Sequence, residues 1–274
     1  MGESQLFYVP PTITERMSTH DVLLGTSAAT LDEANDITFD IAPSNDLISL
    51  ADTRFQCDLH VMRADGTRLV DEELVCPVNN MLSTLFQNVQ VTLAGRSISD
   101  PSNLYFIRAY LGNLLGYDLR ALKSQLTCEG FVLDPAQDHD DPKGTWSPGD
   151  QSKKIDGYPN FENQDQEDRF EWIRDGMMQL SLKIYCDLFQ QDKPLLPGVS
   201  LSLKFTRSRT AVAFTAADAS KLPKVAIKNP KLFIRKYVPT VSYLNSLSKN
   251  LLRSPAACHF ERLQMRQIKI NDQQ

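Results

Sequence analysis

The chain reads as an all-β antiparallel sandwich of about eight strands. Three observations predict it: period-two alternation of apolar residues recurs along most of the 274 residues, turn residues separate the alternating runs, and only two segments switch to a helical period. A strand with one buried and one wet face sends every second side chain into the core. Many short strands of this kind, with little helix between them, make a sandwich.

Ile37, Phe39 and Ile41 form the first run, Phe55, Cys57, Leu59 and Val61 the second, and Val89, Val91 and Leu93 the third. The longest contains Leu180, Leu182, Ile184, Cys186 and Leu188, and Val199, Leu201, Leu203 and Phe205 follow it. Val225 and Ile227 open another that continues through Leu232 and Ile234, and Ile268 with Ile270 closes the series. Asp65-Gly66 and Ala94-Gly95 are turn signals placed directly after runs. Pro194, Pro197 and Gly198 separate two strong runs, which predicts a short hairpin between them.

The period changes twice. Leu104, Ile107, Leu111, Leu114 and Leu115 fall on one helical face, with Ser102 as N-cap and Gly116 as the stop, predicting a helix over Ser102–Gly116. Leu244, Leu247, Leu251 and Leu252 predict a second over Ser242–Leu252, ended before Pro255. Each apolar face is expected to pack over an open end of the sandwich. From Leu133 to Phe170 periodicity gives way to Asp, Pro, Gly, Asn and Gln, an irregular acidic loop expected at the surface. The expected organisation is thus an N-terminal arm over 1–30 and one domain over 31–274 that carries the loop at 133–170.

Apolar residues at 42% and charged residues at 23% fit a globular chain with a sizeable core. The longest nearly apolar stretch, Leu104–Tyr117, contains Arg108 and is too short to cross a bilayer. The first residues, MGESQLFYVPP, do not read as a signal peptide or a myristoylation site. Five scattered cysteines (57, 76, 128, 186 and 258) without a CxxC pair argue against zinc and against a disulfide framework, and fit a reducing compartment. Cys57 and Cys186 sit on the apolar side of their runs, as small core residues do.

The net charge of −5 hides an asymmetry. Residues 129–171 hold twelve acidic and four basic side chains, whereas 204–270 hold fourteen basic and two acidic. The basic third could neutralise phosphates, and Phe233 and Tyr237 beside Arg235 and Lys236 suggest weak single-strand stacking. The plainer reading is that these are wet faces of strands, and the asymmetry could equally pair a basic face with a neighbour's acidic loop.

No arrangement for catalysis emerges. Of the histidines His20, His60, His139 and His259, none forms an HxH pair, and His60 reads as a solvent-facing strand residue. His139 in DHDD lies in the irregular loop, where nothing fixes ligand geometry. GxSxG, GxxxxGKS and GxGxxG are absent. The expectation is no enzyme, no metal and no cofactor.

The stretches LFYVPPTIT (6–14), NNMLSTLFQNVQVTLAGRSIS (79–99), NLYFIRAYLGNLLGY (103–117), LKIYCDLFQQDKPLLPGVSLSLKFTRS (182–208) and KLFIRKYVPTVSYLNSL (231–247) together resemble the double jelly-roll major capsid proteins of the Polinton/Maverick and adintovirus-like lineage. The resemblance implies that the sandwich is the N-terminal jelly roll of such a protein, with a second roll beyond residue 274. It implies a virion protein of an icosahedral DNA virus or virus-like element, assembled inside the host cell, whose homotrimers form pseudo-hexagonal capsomers. Implied partners are further copies in the lattice and a penton or minor capsid protein, with no membrane. The alternative is a single jelly-roll interaction module, of penton or minor capsid type or carbohydrate-binding, for which Trp146 and Tyr158 are the aromatic candidates. ERLQMRQIKI (261–270) is expected to complete the first sandwich or lead into the second.

Limited proteolysis should cut first within 133–170. First cleavage inside Leu180–Phe205 would contradict the strand assignment.

Overall fold

The computed structural model describes residues 15–24, 36–70, 73, 75–99, 102–132, 169–174, 176–216, 221–257, 260 and 262–266. Among the described residues ten strands run β1 (Glu15–Leu24), β2 (Ile37–Ile41), β3 (Leu47–Met62), β4 (Val75–Pro77), β5 (Phe86–Leu93), β6 (Arg96–Ser97), β7 (Met178–Lys183), β8 (Leu201–Arg207), β9 (Phe214–Ala216) and β10 (Lys224–Pro239). One four-stranded sheet has the order β1-β10-β3-β7 and another β2-β8-β5-β6, while β4 and β9 form a separate pair.

Without that small pair, the eight remaining strands pair from the outside inward: β1 with β10, β2 with β8, β3 with β7, β5 with β6, all antiparallel. This is one long ribbon folded at β5–β6. Rolling the ribbon places successive pairs in alternate sheets, and the β10–β3 and β8–β5 pairings close each sheet. The result is a jelly roll of two Greek keys. β1 lies within the segment expected as an N-terminal arm and pairs along β10 from Glu15↔Pro239 to Leu24↔Lys231.

The alternation is the core. Ile37, Phe39 and Ile41, then Phe55, Cys57, Leu59 and Val61, then Leu201, Leu203 and Phe205 are all buried. Phe55 from one sheet meets Phe39, Phe86 and Phe205 from the other, with ring centroids 4.8–6.0 Å apart and mostly edge-on. Edge-on rings set a positive rim against a negative face, which adds to the burial of a large apolar area.

β10 changes parity part-way. Val225 and Ile227 point inward, and so do Leu232 and Ile234. Between Lys228↔Asp58 and Lys231↔Gln56 β10 advances three residues while β3 advances two, so one residue is extra. Asn229 takes it up at φ 47°, and Pro230, which has no N–H to give a ladder, sits at this bulge.

Ala94-Gly95 makes the expected two-residue turn, with φ of 47° and 78° joining Leu93 to Arg96. Positive φ at both positions gives the twist that a tight hairpin needs. Asp65-Gly66 also turns: Gly66 has φ 85°, and the Thr67 N–H donates to the Asp65 carboxylate at 2.8 Å. Leu69 beyond it is buried in a loop and belongs to no strand.

Four expectations need correction. The hairpin between the Leu180 and Val199 runs does not exist, because β7 pairs with β3 in one sheet and β8 with β2 and β5 in the other. The prolines lie in a crossover, entered through a 3-10 turn at Asp187–Gln190 that ends the strand at Lys183 while keeping Leu188 buried. The first long helix starts at Tyr105 behind Leu104, without a side-chain cap from Ser102. The second covers Val241–Arg253, because the Thr240 hydroxyl accepts from the Tyr243 N–H and starts it one residue earlier. Phe170, expected inside the surface loop, is buried in a helical turn. Residues 133–168 lie outside the described residues, as do Ile268 and Ile270.

Phe55→Ala should destabilise the fold by about 3–5 kcal/mol in urea unfolding, because it removes a ring from both sheets' shared centre. Lys228→Ala, on an exposed strand position, should change stability by less than about 0.5 kcal/mol.

Candidate functional site

The short helix α1 (Met81–Thr84) packs on both β7 and helix α2 (Tyr105–Gly116), α2 lies against β5, and the short helix α3 (Leu119–Leu122) packs on the 3-10 turn Gln125–Glu129 that adjoins β7. α2 buries Tyr105, Ala109 and Asn113. Gly112 faces the Tyr185 ring, which a Cβ there would meet at 3.4 Å. The face expected to be buried is therefore turned outward: Ile107, Leu111 and Leu114 are 37–42% exposed and Leu115 is 80% exposed. Leu119 on α3, 43% exposed, extends the stripe.

A buried polar network holds α2 in this orientation. The Glu129 side chain accepts from the Lys183 N–H at 3.0 Å, the Tyr185 hydroxyl at 2.9 Å and the Asn113 amide at 3.3 Å. The Tyr185 hydroxyl shares its one proton between Glu129 and the Asn113 side-chain oxygen, and the Tyr185 N–H donates to the Tyr105 hydroxyl at 3.3 Å. Rotating α2 to bury its leucines would strip Asn113 and Tyr105 from these partners and strand a buried carboxyl, at a cost of a few kcal/mol. Gly130, next to Glu129, has φ 74°, and a Cβ there would come within 2.9 Å of Met81 Cβ. Only glycine lets this loop close on α1. Burial pushes the Glu129 carboxyl above its ordinary range despite the hydrogen bonds that oppose the shift.

Next to α2, Arg108 and Asp187 form an ion pair, and Asp187 also accepts from the Leu263 N–H at 3.2 Å. Arg262 donates to the Ser99 carbonyl at 3.2 Å. Residues 262–266, the described part of the segment expected to complete the first sandwich or lead into a second, cross without secondary structure, and Met265 lines a cavity with Val89, Tyr105, Cys186 and Leu188. The Cys186 thiol that lines it is a poor nucleophile, since burial pushes its pKa up to about 12. Cys57 is buried and likewise raised. His60 is half-buried on its strand, and burial together with Lys228 lowers its pKa. Among the described residues no group of three or more His, Cys, Asp or Glu could hold a metal, and no helix is long and apolar enough to cross a membrane. His139 and the aromatic candidates Trp146 and Tyr158 lie outside the described residues.

The outer face of sheet β1-β10-β3-β7 forms a second distinct surface. Phe233, Arg54 and Lys183 are paired in one row across β10, β3 and β7; Lys231, Gln56 and Ser181 form the next, and Lys228, Asp58 and Gln179 a third. Asp58 accepts from Asn229 at 2.7 Å and Gln179 at 3.3 Å. Arg235 lies 5.2 Å over the Tyr237 ring and 3.3 Å from Asp52.

No protein-family model matches the chain, and no curated protein matches it in sequence. Among solved structures, a chain of the Sputnik virophage cryo-EM structure overlays 85% of this chain at 10% identity with a TM-score of 0.51. The chain shares that virophage fold. It spans about half, 50%, of the virophage chain's length. Looser overlays are found with the PBCV-1 virus capsid (11% identity, 88% of this chain, 46% of that one, TM-score 0.42) and the mavirus major capsid protein (13%, 82%, 48%, 0.38). Within this virophage-like jelly roll, the described surface that departs most from an ordinary wet exterior is the leucine stripe of α2.

Glu129 gives the roll a pH dependence. A carboxyl whose folded-state pKa is raised contributes stability below its unfolded value and loses it as pH rises through the folded one. The contribution of Glu129 to the unfolding midpoint should therefore increase as pH falls toward the ordinary carboxylate range. Glu129→Gln, which mimics the protonated group, should flatten that trend without destabilising the fold at neutral pH. A wild-type midpoint that falls over this range in parallel with the variant's would contradict the assignment.

Proposed function

We propose that the chain is a structural capsid protein that works by self-assembly in a virion and catalyses nothing. The observation that carries this reading is the rolled eight-strand ribbon with an uncharged apolar helix face turned outward. Exposed apolar patches on soluble proteins mark interaction surfaces. The overlay on a chain of the Sputnik virophage structure supports this reading, and the half-length coverage fits a chain that supplies one roll of a two-roll subunit. On this reading a second roll lies beyond residue 274, three subunits close into a homotrimeric capsomer of six similar rolls, and closed cyclic symmetry leaves no patch unmatched. The sequence resemblance supports the Polinton/Maverick and adintovirus-like lineage, with a penton or minor capsid protein as a further lattice partner.

α2 is suited to contact another jelly roll. Its one charged residue, Arg108, is engaged by Asp187, so apposing Ile107, Leu111, Leu114 and Leu115 with an apolar neighbour buries no lone charge. Interfaces between permanently associated units resemble a core cut in half, and this stripe has that composition.

Light-scattering mass measured across a concentration series tests the reading. The wild-type chain should associate as concentration rises, and Leu111→Ser with Leu115→Ser should shift the midpoint by about tenfold or more, toward monomer. A wild-type chain that remains a monomer at high concentration would contradict the capsid reading and favour a binding module.

A further inference from the structure

The outer sheet face concentrates positive charge, although Arg54 is also felt by the buried Glu129 and Lys228 by His60. Lys228 and Arg54 are exposed and Lys231 and Lys183 half-buried on three neighbouring strands. The one acid in their rows, Asp58, is bonded to two amides. Phe233 lies in the same face, in register with Arg54. Four cations around a half-buried ring are costly to keep together unless an anion comes to them.

The chain holds a matching anion. Segment 133–168 contains ten acidic residues (134, 138, 140, 141, 150, 156, 162, 165, 167 and 168) against three lysines (143, 153 and 154), a net charge of −7. Its two anchors are fixed at the ends of edge strand β7. On one side Asn79 accepts from the Val132 N–H at 3.0 Å, and the nearby Glu129 accepts from the Lys183 N–H at the end of β7. On the other, buried Phe170 stacks under the Arg174 guanidinium, 3.1 Å from the ring centroid, just before β7 begins. The described residues on either side of the segment thus flank β7, the edge strand of that sheet.

We propose that the basic outer face of sheet β1-β10-β3-β7 is a docking surface for the acidic segment 133–168 of a neighbouring copy. This rests on the assembly reading above and names its second contact. Complementary charge sets partner orientation and encounter rate more than it sets affinity, so the contact orders copies that the apolar stripe holds together. It is screened by salt, whereas the stripe is not.

A charge exchange in the full chain tests it. One variant carries Lys228→Glu and Lys231→Glu, positions away from the Glu129 network; the other carries Asp138→Lys, Asp140→Lys and Asp141→Lys. Circular dichroism melts establish that both fold. Each variant alone should associate about tenfold more weakly than wild type at low salt, and an equimolar mixture should recover most of the loss because each supplies the charge that the other lacks. No recovery in the mixture, or unchanged association of each variant, would overturn the inference while leaving the capsid reading intact. A wild-type chain that never associates would overturn both. Loss of binding to a mixed-sequence single-stranded oligonucleotide by the lysine variant, with its self-association unchanged, would make the face a nucleic-acid surface and refute the proposal.

Discussion

The contact between Phe55 and Phe205 is the constraint on which the fold depends. Phe55 is on β3 and Phe205 on β8, each an inner strand of its sheet, and the rings approach to 4.8 Å. Every nested pairing of the ribbon must deliver its apolar side to this plane, because a one-residue slip would send the whole set to solvent. The β10 bulge is explained by the same demand. With Asn229 and Pro230 absorbing one residue, both halves of a sixteen-residue strand face the core, although their inward positions have opposite parity.

Much of this was legible in the sequence because burial on one face leaves a period-two record. The runs at Ile37, Phe55, Val89, Leu201 and Val225 became strands and the Leu180 run did so as far as Lys183, while the change of parity between Ile227 and Leu232, read as one continuous run, is the trace that the bulge leaves. Pairing left no such record. Two adjacent strong runs with prolines between them read as a hairpin, yet the roll sends consecutive strands to opposite sheets, and nothing local in Pro194–Gly198 distinguishes the two outcomes.

The helices show where pattern misleads. Leucines at helical spacing identify an apolar face, but not what covers it. In α2 the buried side is Tyr105, Ala109 and Asn113, a set weak in hydrophobicity and strong in fit and hydrogen bonding. The deciding partner, Glu129, lies sixteen residues beyond Asn113 in a segment whose charge suggested solvent. An Asn amid leucines next to two glycines, Gly112 and Gly116, was the available signal, and it points to a close-packed polar side. The basic outer sheet face was legible as composition, since the C-terminal third is visibly cationic. Its pairing in register with Arg54 and Lys183 from earlier strands was not.

The interior of this jelly roll serves folding, and on the proposed reading its apolar exterior serves assembly. Hydroxyl-radical footprinting of dilute and concentrated protein tests it most directly, because it reports side-chain exposure residue by residue. Oxidation of Leu111, Leu114 and Leu115 should fall as the chain associates, while Leu252, 89% exposed on the helix Val241–Arg253, keeps its reactivity. Association that leaves the α2 leucines as reactive as in the monomer would contradict it.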